Sequence, residues 1–504
     1  MTTGGFQRLF QQPEWCFGSL GAAGAGWLWF VLTRHGIGLS PDSVGYLAVS
    51  QHLVEGHGLV SYQGDPFVVQ PPLYPLCIAG LGYLSNLSLP SSALALNVAL
   101  FGLVILLSGK LTFLATGSLK FSIFICFSII FGIPIFWISL FAWSELLFIL
   151  FLLCNFTEFH KLISKNKNVY IFSCLVFANL AFLTRYVGFL LIVSNLLILF
   201  ILFIKKGKNF FVLLYFAVLS VSIPSIFVLR NYAVSGTFFG PRTLSSIRIS
   251  ENLLLFSDAF FSWVIAPLGN LITTPILIVG AIILIFVLLI NYLFHTLRLQ
   301  ELAVSNLILF IIVYLSFILL SSTRIAYDPI DNRLLSPIFI PLSIVLIHFF
   351  SKTIYSNLRA KLPERTERLA VTAGVLIWFT YPVVSTVTLA IEVWQDGKGY
   401  HSLRWQTSET LAYVRKTHKQ LTQLPIYTND PEGMYFLAQT RAAHLPFRVR
   451  ASWPEPGCAY VVRFKHAYRG ECLELLEQLR SVADIVTHKQ FSDGEIYIVT
   501  RKAS

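Results

Sequence analysis

Charge is scarce in this sequence: 12% of its 504 residues are Asp, Glu, Lys or Arg, while 55% are hydrophobic. A soluble domain carries about twice that share of charge, so the composition excludes water as the main solvent. A mean hydropathy of +0.70 agrees. Internal repeats and low-complexity runs are missing, and so is the inverted symmetry seen in many secondary transporters. No basic helix is interleaved with stacking aromatics, so the net charge of +12 does not mark a nucleic-acid surface. Cysteine is also sparse. Most of the seven lie in or beside apolar stretches, where they serve as small apolar residues; Cys458 and Cys472 lie in a polar tail where a disulfide is open to them.

What the sequence has in abundance is Phe, Ile and Leu, gathered in blocks long enough for a helix to cross a bilayer. These blocks fall near residues 15–33, 91–115, 121–139, 144–160, 169–185, 187–204, 209–230, 271–294, 303–321, 334–350 and 370–391. They predict about eleven spans. No small-residue cleavage site follows the first block, so it is expected to stay as an anchor. Alternate loops collect the basic residues: Lys110 and Lys120, then Lys161, Lys165 and Lys167, then Lys205, Lys206 and Lys208, and last Lys352, Arg359, Lys361, Arg365 and Arg368. Lys and Arg resist translocation, which puts those loops in the cytoplasm and the others, with the C-terminal tail, outside.

The expected fold is therefore an all-α polytopic membrane protein over residues 1–391, followed by a small α/β extracytoplasmic domain over residues 392–504. The first outward loop, residues 34–90, is too patterned for a simple connector. It holds a helix-like stretch from Asp42 to Glu55, a Gly-rich turn, and an apolar run from Pro75 to Leu84 that suits an interfacial helix. A second outward segment carries the amphipathic stretch Leu253 to Ile265. In the tail, residues 408–421 and 471–482 read as helices and 425–428 and 459–464 as strands, with a hairpin over 485–500 around Asp493 and Gly494. The run from Tyr427 to Pro431 reads as a strand ending in a turn.

An ionisable residue at the edge of a span costs several kcal/mol unless it is paired or hydrated. Glu145, Arg185, Arg230 and Arg333 all fall at the outward ends of spans, level with Asp42 in the first loop. Three arginines at one depth suit bidentate contacts to a phosphate, and a nearby carboxylate could accept a proton. Asp42 is the carboxylate with no Lys or Arg near it in sequence, although a residue following Pro41 at a helix start also reads as an N-cap. Glu145 reads equally as a carboxylate that closes the bundle on an arginine. Pro71 and Pro72 read either as a rigid cavity wall or as a helix start. His52, Glu55, His57 and Asp65 match no closed zinc pattern, so a divalent metal has no support from ligand spacing and no cofactor is implied.

The order Asp42-Ser43-Val44-Gly45-Tyr46, a Gly-containing turn, then Pro71-Pro72-Leu73-Tyr74-Pro75-Leu76 resembles the polytopic GT-C glycosyltransferases. Within them it is similar to the bacterial branch of protein O-mannosyltransferases, aminoarabinose transferases and Rhizobium lipopolysaccharide glycosyltransferases. The segments Ser144-Glu145, Leu183-Thr184-Arg185, Leu229-Arg230-Asn231 and Asn332-Arg333-Leu334 add to the likeness. The resemblance implies about eleven to thirteen helices, two of them interfacial. It implies a hexosyl or pentosyl donor carried on a polyprenyl phosphate, and a lipid, glycan or protein acceptor. The expected setting is a bacterial plasma membrane, with the active site outside. Asp42 matches the family's reacting-centre carboxylate, and Arg230 and Arg333, with Arg185, would contact the donor phosphate. Tyr46, Pro72, Tyr74 and Glu145 would line the substrate cavity. Where relatives carry an acidic pair, this chain has Asp42 followed by Ser43. A lipid-linked saccharide transporter, or a glycan ligase or polymerase on a related scaffold, are the competing readings.

Overall fold

The computed structural model describes residues 13–165, 167, 169–206, 210–264, 275–298, 301–326, 328–355, 363–421, 424–445, 453, 457–468, 480 and 483–501. The chain forms two compact units: Met1–Val31, Val68–Cys77 and Ala95–Glu392 make the first; Leu32–Phe67, Ile78–Leu94 and Val393–Ser504 make the second.

Helices dominate the first unit. Among the described residues, eight helices are long and apolar enough to cross a bilayer, or nine when the pair Leu119–Ile130 and Ile133–Ser139, bent by 51°, is one span. The protein is an integral, multi-pass membrane protein. Each stretch expected to span has a helix or helix pair at its place, Pro275–Arg298 among them; Val169–Thr184 is a shorter apolar helix. The bend has a local cause. Pro134 occupies the first turn of the second helix, and a Cβ on Gly132 would lie 2.9 Å from the Phe339 ring and 2.4 Å from the Ser128 carbonyl. Gly21 and Gly102 let the helices Pro13–Leu32 and Leu89–Thr116 meet backbone to backbone, since a Cβ on Gly21 would stand 2.6 Å from the Gly102 carbonyl oxygen.

With no hydrophobic contrast between lipid and apolar side chains, buried polar groups help to fix which helices meet. Asn195 donates to Asn155 Oδ1 at 2.9 Å and accepts from Asn306 Nδ2 at 3.0 Å, while Asn155 donates to the Cys174 carbonyl at 2.8 Å. One chain of amides thus ties four helices together. It was not foreseen from the sequence.

The second unit joins first-loop segments to the tail. Leu39 bridges Gly399 in parallel, His401 Nδ1 lies 2.7 Å from the Ile37 carbonyl, and Tyr62 donates to Glu432 Oε1 at 3.2 Å. Its sheet comprises β1 (Ile426–Thr428), β2 (Ala443–His444), β3 (Cys458–Phe464), β4 (Ala483–Gln490) and β5 (Gly494–Arg501), in the order β2-β1-β3-β5-β4. β1 pairs in parallel with β2 and β3, and β5 lies antiparallel to β3 and β4. The expected hairpin is β4-β5. Its turn carries Asp493, whose Oδ1 accepts from the backbone and hydroxyl of Thr410 and so anchors the start of the helix Glu409–Leu421.

The run after β1 is more than a turn. Asp430 caps a helix, Pro431–Ala438, by accepting from Gly433 N at 2.9 Å, and its buried carboxylate also takes the Tyr400 hydroxyl at 2.5 Å and Tyr468 N at 3.1 Å. The expected helix over 471–482, residue 480 apart, and the partner Cys472 lie outside the described residues.

Candidate functional site

Glu145 opens the helix Glu145–Lys165, immediately after the buried irregular stretch 140–144. A helix N-terminus favours a carboxylate. Here the side chain is 1% exposed, and its Oε1 accepts from Arg185 Nη1 at 2.5 Å and from Arg333 Nε at 2.6 Å. Oε2 has no hydrogen-bond partner among the described residues.

The two arginines reach that oxygen from different elements. Arg185 is an extended residue between the helix Val169–Thr184 and the turn Tyr186–Gly188, and it also donates to Ser144 Oγ at 3.2 Å. Arg333 sits in the first turn of the helix Asn332–Phe349, where the helix dipole disfavours a cation. Two groups offset that cost: Glu145, and the Trp143 ring, whose centroid is 4.1 Å from the guanidinium and which stacks on Phe141 at 4.3 Å. The start of the helix is itself fixed. Asp331 accepts from Leu334 N at 3.0 Å, Tyr314 donates to the Leu334 carbonyl at 2.8 Å, and Trp263 Nε1 donates to Asn332 Oδ1 at 2.9 Å.

Arg230 joins through a neighbour. It donates to Asn231 Oδ1 at 3.1 Å, and Asn231 donates to the Tyr186 hydroxyl at 2.8 Å. Tyr186 in turn donates to the Val68 carbonyl at 2.7 Å, next to the Val69 carbonyl that accepts from Arg242 Nη2 at 3.1 Å. On the other side, Tyr74 donates to Asn97 Oδ1 at 3.1 Å, and Asn97 donates to the Phe141 carbonyl at 2.6 Å. The described contacts thus gather four guanidiniums, Arg185, Arg230, Arg242 and Arg333, with three carboxylates, Glu145, Asp331 and the exposed Asp328, which lies 3.5 Å from Arg333. Guanidiniums gathered in this way suit an anion.

The first unit therefore brings together Glu145, Arg185 and Arg333, with Arg230 linked through Asn231 and Tyr186. Pro72 is the residue before the helix Leu73–Ser85, and its carbonyl accepts from Leu76 N at 3.0 Å, which is the helix-start reading. Asp42 and Tyr46 belong to the second unit. The helix there is Pro41–Val54 and its N-cap is Ser40, which corrects the capping alternative for Asp42: that residue occupies the first turn, half-buried, with Tyr46 buried one turn on. The His52 and His57 rings are 6.0 Å apart, with His57 Nδ1 3.3 Å from Glu55 and His52 Nδ1 2.9 Å from the Val60 carbonyl. Among the described residues, no group of three or more His, Cys, Asp or Glu could hold a metal ion.

Sequence reasoning passed over Tyr186, Arg242 and the two asparagines. The asparagines carried a signal, since each directly adjoins a singled-out arginine in Arg230-Asn231 and Asn332-Arg333. Arg242 lies in a loop, and only the fold brings it to Val69.

No family model matches this chain, and no curated protein does. Solved structures are similar to it. ArnT from Cupriavidus metallidurans bound to undecaprenyl phosphate aligns over 95% of this chain and 97% of its own, with 13% identity and a TM-score of 0.57. The oligosaccharyltransferase AglB from Archaeoglobus fulgidus, in complex with an inhibitory peptide and a dolichol-phosphate, aligns over 95% and 74%, with 10% identity and a TM-score of 0.53. At such identities the likeness is one of fold: this chain has the GT-C architecture, a polytopic helical body with a small mixed sheet.

Proposed function

We propose that this protein is a membrane glycosyltransferase that moves a hexosyl or pentosyl group from a polyprenyl-phosphate donor to an extracytoplasmic lipid, glycan or protein acceptor. The observation that carries the reading is the fold likeness, nearly end to end, with a protein bound to undecaprenyl phosphate. The guanidiniums gathered around Glu145 support it, because the leaving group in such a transfer is a phosphate.

In this reading Asp42 takes the proton of the acceptor hydroxyl, whose oxygen attacks the anomeric carbon. The bond from that carbon to the phosphate oxygen breaks, and the electron pair leaves with the lipid phosphate. Arg185, Arg230 and Arg333 stabilise the departing charge, and Tyr46, Pro72, Tyr74 and Glu145 shape the cavity. A single displacement inverts the anomeric centre. The site faces outward in this scheme, on the evidence of the loop charges.

The test is transfer from a radiolabelled polyprenyl-phosphate monosaccharide in membranes holding equal amounts of inserted protein. Asp42→Asn should lower the rate by about a hundredfold or more, the usual loss for a general base. Full activity in that variant would remove Asp42 from the mechanism, and transport of the labelled lipid without transfer would overturn the enzymatic reading.

A further inference from the structure

A cleft of about 570 Å³ opens within the second unit, where the ends of the helices Pro41–Val54 and Leu73–Ser85 meet the turn 86–88. Small-molecule sites span roughly 300–1,000 Å³, so the cleft has room for a compact polar group. Its apolar wall is Val54, Tyr83, Leu87 and Leu89. Leu89 is also the first residue of Leu89–Thr116, a helix apolar and long enough to cross the bilayer. The cleft therefore opens at the N-terminal end of that helix.

The lip of the cleft is apolar and bare: Tyr83 is 74% exposed, Leu84 82% and Leu87 45%. Beside a span such a lip lies against acyl chains rather than water. Asn86 keeps it in place. Its φ of 57° turns the chain sharply between Ser85 and Leu87, a conformation that Asn tolerates better than most residues. The opposite wall is polar. Gln51 Nε2 donates to Glu55 Oε1 at 2.8 Å, and His57 Nδ1 approaches the other carboxylate oxygen at 3.3 Å. Glu55 is the carboxylate of the lining, which holds neither Lys nor Arg.

We infer that this cleft binds a bilayer phospholipid with an amine headgroup, its ammonium directed at Glu55 and its acyl chains along Tyr83, Leu84 and Leu87. A carboxylate wall whose lining holds no Lys or Arg disfavours an anionic headgroup, and the apolar lip beside a span disfavours a soluble ligand. The inference does not rest on the proposed sugar transfer, and binding is read without any turnover.

The full chain in nanodiscs containing equal phosphatidylethanolamine and phosphatidylglycerol, with a photoactivatable phosphatidylethanolamine as probe, provides the test. Peptide mapping should place the label on residues 82–89, and Val54→Trp, which fills the cleft from an exposed position, should lower it several-fold. Glu55→Lys should reverse the preference toward phosphatidylglycerol. Label spread evenly over all lipid-facing helices, or an unchanged preference in Glu55→Lys, would overturn the inference. If Val54→Trp failed to fold, competition of unlabelled phosphatidylethanolamine against phosphatidylglycerol in the unaltered chain decides the matter.

Discussion

Replacing Glu145 by Gln should destabilise the first unit more than any other single change at its polar network. Two unit charges about 4 Å apart attract by about 4 kcal/mol at the effective dielectric of about 20 that suits such sites. Glu145 makes two such attractions at once, with both contacts on one oxygen. Against this stands the cost of burying a carboxylate that is 1% exposed. Removing one member of a buried pair costs about 3–5 kcal/mol, because the partner's charge is left behind. Gln keeps an acceptor oxygen, and water reaches the 21% exposed Arg185 side chain more readily than the 11% exposed Arg333. The expected loss is therefore about 2–4 kcal/mol, around the lower end of that range. Arg333→Gln should follow, and Arg185→Gln should cost least. Unfolding rates in detergent, read by tryptophan fluorescence, suit a large membrane protein, since many large proteins unfold irreversibly. A double-mutant cycle over Glu145 and Arg333 should give a coupling of about 1–3 kcal/mol. Additive costs, or a Glu145→Gln variant as long-lived as the parent, would refute the reasoning.

The amide chain gives a second expectation: Asn195→Leu strands both Asn155 Oδ1 and Asn306 Nδ2, and should cost about 1–2 kcal/mol in the same unfolding measurement. Gly102→Val should separate the helices Pro13–Leu32 and Leu89–Thr116, since a Cβ there meets the Gly21 carbonyl at 2.9 Å; introduced cysteines on the two helices would then crosslink poorly. In the second unit two carboxyls act with opposite sign. Burial holds Asp430 above the usual range despite hydrogen bonds from Tyr400, Tyr468 and Gly433, so its contribution is full below about pH 4 and is lost as the pH rises through its folded value. Burial pushes Asp493 the same way, but hydrogen bonds from Ser408 and Thr410 outweigh it and hold it low, so its contribution is present above about pH 4 and is lost on acidification. Hydrogen exchange across β3 and β5 as a function of pH should flatten on the acid side in Asp493→Asn, and on the neutral side in Asp430→Asn.

The helices were legible because each is a long apolar block, and the β4-β5 hairpin because Asp493-Gly494 divides two β-rich runs. What escaped were features that depend on neighbours distant in sequence. Nothing local shows that residues 32–67 pack with the tail, because Leu39 meets Gly399 only through a φ of +60° at that glycine. The helix Pro431–Ala438 was hidden for a different reason. Asn429-Asp430-Pro431 is turn chemistry and helix-cap chemistry alike, and the seven or eight residues that follow have no apolar period strong enough to separate the two. At the polar network the sequence located Glu145, Arg185 and Arg333 by their cost at the edge of a span, but one carboxylate oxygen serving two arginines is a matter of geometry.

That shared oxygen bears on the proposed role of the arginines at a lipid phosphate. Guanidiniums at the edge of the hydrocarbon are costly unless a counter-charge is present. A carboxylate for each arginine would remove the cost and also the attraction for a phosphate. One buried carboxylate shared by Arg185 and Arg333 holds the pair in place with less negative charge than a buried carboxylate for each would bring. The two roles separate in one experiment. If Glu145 sets the charge of a phosphate site, Glu145→Gln should bind a short-chain polyprenyl phosphate more tightly than the parent while unfolding faster. If Glu145 only closes the helix bundle, the same variant should unfold faster with its affinity unchanged or reduced.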